Sequence, residues 1–351
     1  MAAALVVGAA GNGTPRLVDI AALAGVSAAT VSRVLNGRPG VSEQTRRSVL
    51  TALDLAGYER PARIKQRSRG LVGLVTPELD NPIFPAFGQA IEKALTQHGY
   101  TPVLCTQLPG GAPEDEFTEL LLECGVNGMI FVSGLHADTT ARADRYTRLV
   151  AQSVPIVLLN GYAADVEATF LSTDDRLAAR LAVQHLHDLG HERIGLAVGQ
   201  ARFVPVVRKL EGYRQAMMTL GLAGAAESLI AHSLFSVEGG QAAASQLLDR
   251  GCTGLVCASD LMAIGAIRAC RERGLDVPRD VSVVGYDDST LIAYTDPPLT
   301  TMRQPVQVMA TAAVDALLEL VAGGPSQHQE LMFRPELIVR SSTGSGPKII
   351  R

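Results

Sequence analysis

The sequence predicts a small all-helical head followed by a larger two-lobed α/β body built on parallel sheets. Residues 16–59 hold short helical patterns, with a glycine turn between the first two. From Leu71 onward, apolar runs alternate with amphipathic helices, and this alternation occurs as two successive sets. A chain of 351 residues is also too long for one small core and long enough for two or three domains.

The head is predicted from the segment "DIAALAGVSAATVSRVLNG", which runs from Asp19 to Gly37. Gly25 should end a first helix and Ser27 should cap a second, and a third helix should open at Ser42 and stop at Gly57. Each helix carries an apolar face toward a shared core, predicted as Ile20, Leu23 and Ala24, then Val31, Val34 and Leu35, then Val49, Leu53 and Ala56.

Three short helices with a glycine-bearing turn are typical of a helix-turn-helix unit that reads DNA. Arg33 can reach a guanine edge with two hydrogen bonds, and small alanines let the helix approach a thymine methyl group. Hydroxyl groups at the helix start suit phosphates. The predicted contacts are Ser27, Ala28, Ala29, Thr30, Ser32, Arg33 and Asn36. The alternative is a plain helical hairpin in which Arg33 is a solvated charge.

The charge distribution favours DNA binding. Between Thr14 and Gly70 there are ten Lys and Arg residues against four Asp and Glu, so this part carries +6 and the remainder −10. A basic head on an acidic body is suited to a polyanionic partner. The segment "RPARIKQRSR" is predicted as a basic, DNA-contacting hinge through Arg60, Arg63, Lys65 and Arg67, or alternatively as a solvated tether.

The N-terminal residues 1–15 are predicted as a disordered tail, since no positive flank precedes their apolar run as in a signal peptide. The five cysteines form no Cys-x-x-Cys pair, which argues against a zinc ribbon or disulfide framework and fits the reducing cytoplasm. No apolar run reaches membrane-spanning length, so no membrane partner is expected.

The two α/β sets predict two similar lobes that face each other across a cleft, because ligands bind at the carboxyl ends of parallel strands. An aromatic ring with several hydrogen-bonding groups suits a polyhydroxylated ligand. The predicted strands are "LVGLVT", "TPVLC", "NGMIFVS", "VPIVLLN", "RIGLAVG", "SLIAHS", "TGLVCAS" and "VSVVGYD". The candidate residues at or after their ends are Asp80, Asn81, Phe84, Asn160, Asp260 and Asp287. For each polar residue the alternative is a helix N-cap, and this alternative is favoured for Asp260.

The sequence argues against an enzyme. It contains neither a phosphate-binding Gly-x-x-x-x-Gly-Lys segment nor a Gly-x-Ser-x-Gly nucleophile turn. His185, His187 and His191 lack an acidic partner and are interpreted as structural, and the adjacent Asp287 and Asp288 should point apart. No cofactor and no metal are predicted.

Several segments together make the chain similar to the LacI/GalR family of bacterial transcription repressors. They are "DIAALAGVSAATVSRVLNG", "VSEQTR", "DNPIF", "HLHDLGHERIGLAVG", "GYRQAM", "ASDLMAIGAIRA" and "DVSVVGYDDS…PPLTTMRQP". Further segments, including "ERPARIKQRSRGLVGL", resemble its actinobacterial maltose-regulator branch. The resemblance implies a helix-turn-helix head, a hinge and a periplasmic-binding-protein-like effector domain in a homodimer on an inverted DNA repeat.

The resemblance also implies an effector cleft lined by Phe84, Asn160, Lys209, Ser259, Asp287 and Gln304, to which the strand-end analysis adds Asn81. Asn160, Lys209 and Ser259 stand where Asp, Arg and Asn are common in the family. A longer glucan therefore stays open, as does a phosphorylated or protein co-effector drawn to Arg208 and Lys209, which makes Arg208 the eighth predicted ligand-binding residue. In the hinge, Arg67 stands where the family's minor-groove leucine is usual.

We therefore predict a cytoplasmic, sugar-responsive repressor of carbohydrate-use genes, with a maltose-type effector. The alternative is a sugar-binding protein without DNA activity. The predicted boundaries are residues 16–59 for the head, 60–70 for the hinge, 71–343 for the body and 344–351 for a tail. Within the body, the first lobe is predicted as about 71–170 and 304–331, and the second as about 171–303 and 332–343.

Overall fold

The structure is a computed structural model that describes residues 16–35, 38–56, 58, 68–107 and 113–347. It divides into two compact units, one ending at Arg67 and the other beginning at Ser68. Several predictions lie outside the described residues: the disordered tail over 1–15, the helix end at Gly37 and Gly57, and the contacts assigned to Asn36, Arg60, Arg63, Lys65 and Arg67.

The head consists of three helices around a small apolar core, namely α1 (Leu17–Ala24), α2 (Ala28–Leu35) and α3 (Glu43–Leu55). Gly25 ends α1 with a φ of 64°, the left-handed conformation that glycine adopts without strain. Ser27 Oγ accepts a hydrogen bond from the Thr30 amide at 3.2 Å, and Ser42 Oγ accepts one from the Thr45 amide at 3.1 Å. The predicted glycine turn and serine caps are therefore present.

One predicted core position of the head is wrong. Leu23 is 62% exposed, whereas Ile20 and Ala21 are buried. At 100° per residue, the face of α1 that packs inward is centred between Ile20, Ala21 and Ala24, and Leu23 lies outside it.

The first lobe of the body contains an entirely parallel six-stranded sheet with strand order β11-β5-β4-β3-β1-β2. Helices cover both faces of this sheet, as a parallel sheet requires. Its strands are β1 (Leu71–Thr76), β2 (Thr101–Thr106), β3 (Met129–Val132), β4 (Ile156–Leu159), β5 (Thr169–Thr173) and β11 (Gln329–Phe333). Its helices are α4 (Ile83–Gln97), α5 (Glu114–Glu123), α6 (Asp144–Ala151) and α12 (Val306–Val321).

The second lobe repeats this architecture, with strand order β12-β10-β9-β8-β6-β7. All its pairings are parallel except that of the edge strand β12 with β10. The strands are β6 (Ile194–Val198), β7 (Ile230–His232), β8 (Gly254–Cys257), β9 (Ser282–Asp287), β10 (Thr300–Arg303) and β12 (Glu336–Ile338). The helices are α7 (Asp175–Asp188), α8 (Val204–Thr219), α9 (Ala223–Ala226), α10 (Val237–Asp249) and α11 (Asp260–Glu272).

The chain passes between the lobes after β5, after β10 and between β11 and β12. Since β5 continues to Thr173 and β11 to Phe333, the predicted lobe boundaries after residues 170 and 331 fall inside strands of the first sheet. Both strands lie next to a lobe crossing, where no helix follows in the same lobe to mark the strand end. The other domain boundaries stay predictions.

Among the described residues, no single helix is long and apolar enough to span a membrane. One bent pair of helices, Leu17–Ala24 with Ala28–Leu35, meets that test by length and composition.

Candidate functional sites

The outer face of α2 is the candidate DNA-reading surface of the head. Val31 and Val34 are buried, which turns Ala29 and Arg33 outward into solvent. Ser27 and Thr30 are linked by their hydroxyl oxygens at 2.9 Å at the start of the helix. This leaves the exposed guanidinium of Arg33 on the same side as a helix N-terminus with hydroxyl groups, an arrangement suited to base and phosphate contacts.

Three members of the predicted set, Ala28, Thr30 and Ser32, are less exposed than expected. Ala28 is partly buried against the head core, so it is not wholly on the outer face. Its position one turn before Val31 and Ser32 places it at the edge of the packed side. Ser32 is half-buried. Contacts between these residues and DNA stay predictions.

A cavity of about 350 Å³ lies between the two lobes of the body. Seven of the eight residues predicted for the effector cleft line it: Asn81, Phe84, Asn160, Lys209, Ser259, Asp287 and Gln304. They lie at or after the ends of β1, β4, β8, β9 and β10, in the first turn of α4, or on α8. The cavity therefore forms where the carboxyl ends of parallel strands from both sheets meet, as predicted for this architecture.

Backbone strain is concentrated at this cavity. Ser133, Asn160 and Asp287 line it, and they have φ values of 48°, 55° and 119°. Residues other than glycine rarely adopt positive φ, and such strain is often found at ligand sites, where the surrounding packing enforces it. Each of these residues stands at the end of a strand in the middle of its sheet.

A chain of hydrogen bonds connects the lobes at the back of the cavity. Gln304 Nε2 donates to Asp287 Oδ1 at 2.8 Å, and Gln304 Oε1 accepts from Thr173 Oγ1 at 2.9 Å. Burial raises the pKa of Asp287 well above its ordinary value, and the nearby charge of Asp260 adds to this effect. A carboxyl group held toward its protonated form can donate as well as accept a hydrogen bond, as a sugar hydroxyl requires.

A buried ion pair forms the floor of the cavity. The Lys209 ammonium contacts Asp175, and it lies 3.7 Å from the centroid of the Tyr286 ring. The Tyr286 hydroxyl donates to the same Asp175 oxygen at 2.6 Å. The charge of Lys209 is thus matched by a carboxylate and an aromatic face within the protein.

The rim of the cavity is aromatic and is bridged between lobes. Phe84, Phe203 and Phe235 line it, and Gly199 leaves room for the Phe235 ring, which a Cβ at that position would meet at 2.2 Å. The Thr139 amide and hydroxyl both donate to the Arg202 carbonyl, at 2.8 and 2.7 Å. Flat apolar faces beside polar groups suit sugar rings.

The wall next to this rim is held by the buried carboxylate of Glu114. Its oxygens accept hydrogen bonds from the Leu135 amide at 3.1 Å, from Gln107 Nε2 at 3.0 Å and from the Tyr146 hydroxyl. Since Gln107 and Leu135 both line the cavity, Glu114 fixes the shape of the wall without lining the cavity itself.

The prediction that Arg208 lines the cleft is wrong. Its guanidinium makes two hydrogen bonds to Glu330 of β11, at 2.7 and 2.8 Å, and it does not line the cavity. Arg208 and Lys209 are neighbours on α8, so they point in different directions around the helix. Arg208 therefore joins the second lobe to the first sheet.

Some of the polar residues predicted at strand ends stabilise helix starts, the alternative role considered for them. Ser259 Oγ accepts from the Met262 amide at 3.2 Å and Asn81 Oδ1 from the Ile83 amide at 3.3 Å, so both residues hold helix starts while also lining the cavity. Asp260 does not line it and accepts from Thr301 Oγ1 at 2.7 Å. The N-cap favoured for Asp260 is wrong, because Ser259 caps α11 and Asp260 is its first residue. Asp80 is exposed.

Two of the three grouped histidines make structural contacts. His185 Nε2 lies 3.0 Å from Thr343 Oγ1, and His191 Nε2 lies 2.9 Å from Ser282 Oγ. The structural interpretation of these two residues agrees with their contacts.

Sequence reasoning missed several residues of the cavity. Asp175 follows β5, which no predicted strand covered, and Arg202 and Phe203 follow β6, where the strand-end rule would have found them. The missed residues with polar or aromatic side chains are Glu78, Gln107, Ser133, Asp138, Asp175, Arg202, Phe203, Phe235 and Tyr286.

Comparison with known proteins agrees with both units. Residues 16–60 match the family described as "Bacterial regulatory proteins, lacI family", and residues 183–343 match the "Periplasmic binding protein-like domain". The HTH-type transcriptional regulator MalR of Streptomyces coelicolor is 64% identical over 95% of this chain and 98% of its own. The regulator reg1 of Streptomyces lividans is 62% identical over the same shares.

Solved structures of transcriptional regulators also resemble most of this chain. A complex of the transcriptional regulator CelR with cellobiose has a TM-score of 0.69 and 32% identity, covering 93% of this chain and 99% of that one. A lac repressor dimer bound to operator and the anti-inducer ONPF has a TM-score of 0.67 and 29% identity, covering 95% and 100%.

The helix-turn-helix head and the two-lobed body with a cleft define a ligand-responsive class of DNA-binding regulator. The chain belongs to the lacI family of bacterial regulatory proteins and is a helix-turn-helix transcriptional regulator. The predicted fold class, the absence of an enzymatic role and the DNA-binding function are confirmed.

Proposed function

We propose that this regulator represses carbohydrate-use genes in the cytoplasm and responds to a neutral, maltose-type sugar bound between its lobes. Two copies would read an inverted repeat, since one head offers few base contacts and two-fold symmetry doubles them. The proposal is supported by the 64% identity to the transcriptional regulator MalR, by the structure of CelR with cellobiose and by the operator-bound lac repressor dimer.

The interlobe cavity carries the proposal of a sugar effector. Its volume of about 350 Å³ suits a ligand larger than a single ion or water cluster. Phe84 can stack on a sugar face, and Asn160 and Asp287 can hydrogen-bond its hydroxyls. The alternative of a sugar-binding protein without DNA activity is not favoured, because the head has the helix-turn-helix fold.

The lobes supply the coupling between effector and DNA. Contacts such as Gln304 with Asp287 and Thr139 with Arg202 hold one relative orientation of the lobes. A sugar that binds this orientation more tightly than another shifts the population toward it, and in a dimer this changes the separation of the heads. DNA affinity changes only by the difference in sugar affinity between the two states.

Calorimetry with maltose, maltotriose and trehalose tests the effector class, using the full chain. At least one sugar should release or absorb heat and alter DNA affinity in a parallel binding assay. An Asp287→Ala variant, which removes both the donor and the acceptor, should lose much of the sugar affinity, while Asp80→Ala, an exposed control outside the cavity, should not. No heat and no change in DNA affinity with any of the three sugars would refute the sugar class.

A further inference from the structure

We infer that Asp175 makes this cavity selective for neutral ligands and excludes phosphorylated ones. The inference rests on the proposed function, because it specifies which sugars the same cavity accepts. It also decides between the neutral glucan and the phosphorylated co-effector that the sequence left open.

Among the described residues that line the cavity, Arg202 and Lys209 are the two cations, and neither is left for an incoming anion. Arg202 Nε lies 3.3 Å from Asp138 Oδ2, and Lys209 contacts Asp175, so each cation already has a carboxylate partner.

Asp175 occupies the place that would otherwise attract an anion. It is the first residue of α7, where the helix dipole favours negative charge, and it receives the Tyr286 hydroxyl and the Lys209 ammonium. The side chains of Lys209 and Asp175 are only 7% and 6% exposed, so solvent screens this pair weakly. A phosphate group beside them would be repelled by the Asp175 carboxylate, which already neutralises Lys209.

The Asp138 pair at the rim provides a matched control. Asp138→Asn removes one negative charge from the same cavity, as Asp175→Asn does, but it leaves Lys209 paired. The Arg202 side chain freed by this change is 48% exposed and is therefore already hydrated and screened. Only the loss of the buried carboxylate should create an anion site. Asparagine at position 175 keeps an oxygen that can accept the Tyr286 hydrogen bond.

Inorganic phosphate is the first probe, with thermal unfolding of the full chain compared in phosphate and in chloride at equal ionic strength. Phosphate should leave wild type and Asp138→Asn within about 1 °C of their chloride values and should stabilise Asp175→Asn by several degrees. Stabilisation of wild type by phosphate, or an equal response of both variants, would overturn the inference. If Asp175→Asn does not unfold cooperatively, Asp175→Ser replaces it, and the wild-type result alone can still overturn the inference.

The second probe is the pair maltose and maltose 1-phosphate, measured by calorimetry. Wild type should prefer maltose at least tenfold, and Asp175→Asn should reduce that preference at least tenfold. Wild type binding both equally would overturn the inference. If maltose does not bind at all, the proposed maltose-type effector fails, whereas the phosphate experiment still decides the role of Asp175.

Discussion

The interlobe ion pair between Arg208 and Glu330 offers a sharp test of the lobe arrangement. Arg208 lies on α8 in the second lobe and Glu330 on β11 in the first, and neither lines the cavity. Glu330→Gln keeps the shape of the side chain but removes the charge that pairs with the guanidinium. If the lobes adopt this orientation in solution, the variant should lose both stability and effector affinity, although it touches no effector.

The magnitude follows from the geometry. The pair is bidentate at 2.7 and 2.8 Å, with side chains 8% and 17% exposed. Removing one partner of a fully buried pair costs about 3–5 kcal/mol, and partial exposure of Glu330 reduces this to about 2–3 kcal/mol. For a body of this size we expect the unfolding midpoint to fall by about 5 °C.

A double-mutant cycle with Arg208→Met and Glu330→Gln separates this pair from other effects of each substitution. The coupling energy, measured by urea unfolding, should be about 2 kcal/mol. Each single variant should also weaken sugar binding by about three- to thirtyfold, and the double variant should do little more. A coupling energy below about 0.5 kcal/mol would show that the pair does not form and that the two lobes do not adopt this relative orientation in solution.

The remaining predictions address the head, the hinge and the body. Arg33→Ala should weaken specific DNA binding by about 1–3 kcal/mol and relax the preference at one base pair per half-site, whereas an equal loss on non-specific DNA in the same anisotropy titrations would make Arg33 a phosphate contact. Neutralising Arg67 and Arg69 together should reduce the slope of log affinity against log salt concentration by about 0.9 for each DNA phosphate that the protein no longer neutralises. An unchanged slope would show that these two residues do not contact DNA phosphates. Phe84→Leu should weaken sugar binding about fivefold in calorimetry, because ring stacking worth about 1 kcal/mol is removed, and unchanged affinity would contradict stacking. Burial lowers the pKa of His136 to about 4, so the native state binds fewer protons than the unfolded state between that pH and 6.5. The unfolding free energy should therefore fall by about 3 kcal/mol on acidification across this range, and His136→Gln should flatten that dependence in urea titrations.

The sequence predicted the elements that carry strong local signals. The helix-turn-helix follows from Gly25 and the serine caps, and the buried strands follow from uninterrupted apolar runs such as Leu71–Thr76. It missed β5, β10, β11 and β12, whose sequences "TFLST", "TTMR", "QELMF" and "ELI" lack such a run. Those strands exist because they add to the edge of a sheet already formed, which is a tertiary effect.

The cavity could be located from the strand ends, but its pairings could not be predicted. Sequence spacing places Arg208 and Lys209 side by side, and only the packing of α8 against both lobes sends one to Glu330 and the other to Asp175. Asp175 itself was out of reach, because the strand before it was not recognised. Which carboxylate neutralises which cation depends on the packing of elements far apart in the chain.

The measurement that tests the central claim most directly is sequence-specific DNA binding by the full chain. The binding is monitored by fluorescence anisotropy, with and without maltose. The DNA is an inverted repeat selected from a random library. We predict tight, salt-dependent binding to the selected repeat and a change in affinity of about fivefold or more when the sugar is added. Binding that is indifferent to DNA sequence, or that no neutral sugar alters, would contradict the account.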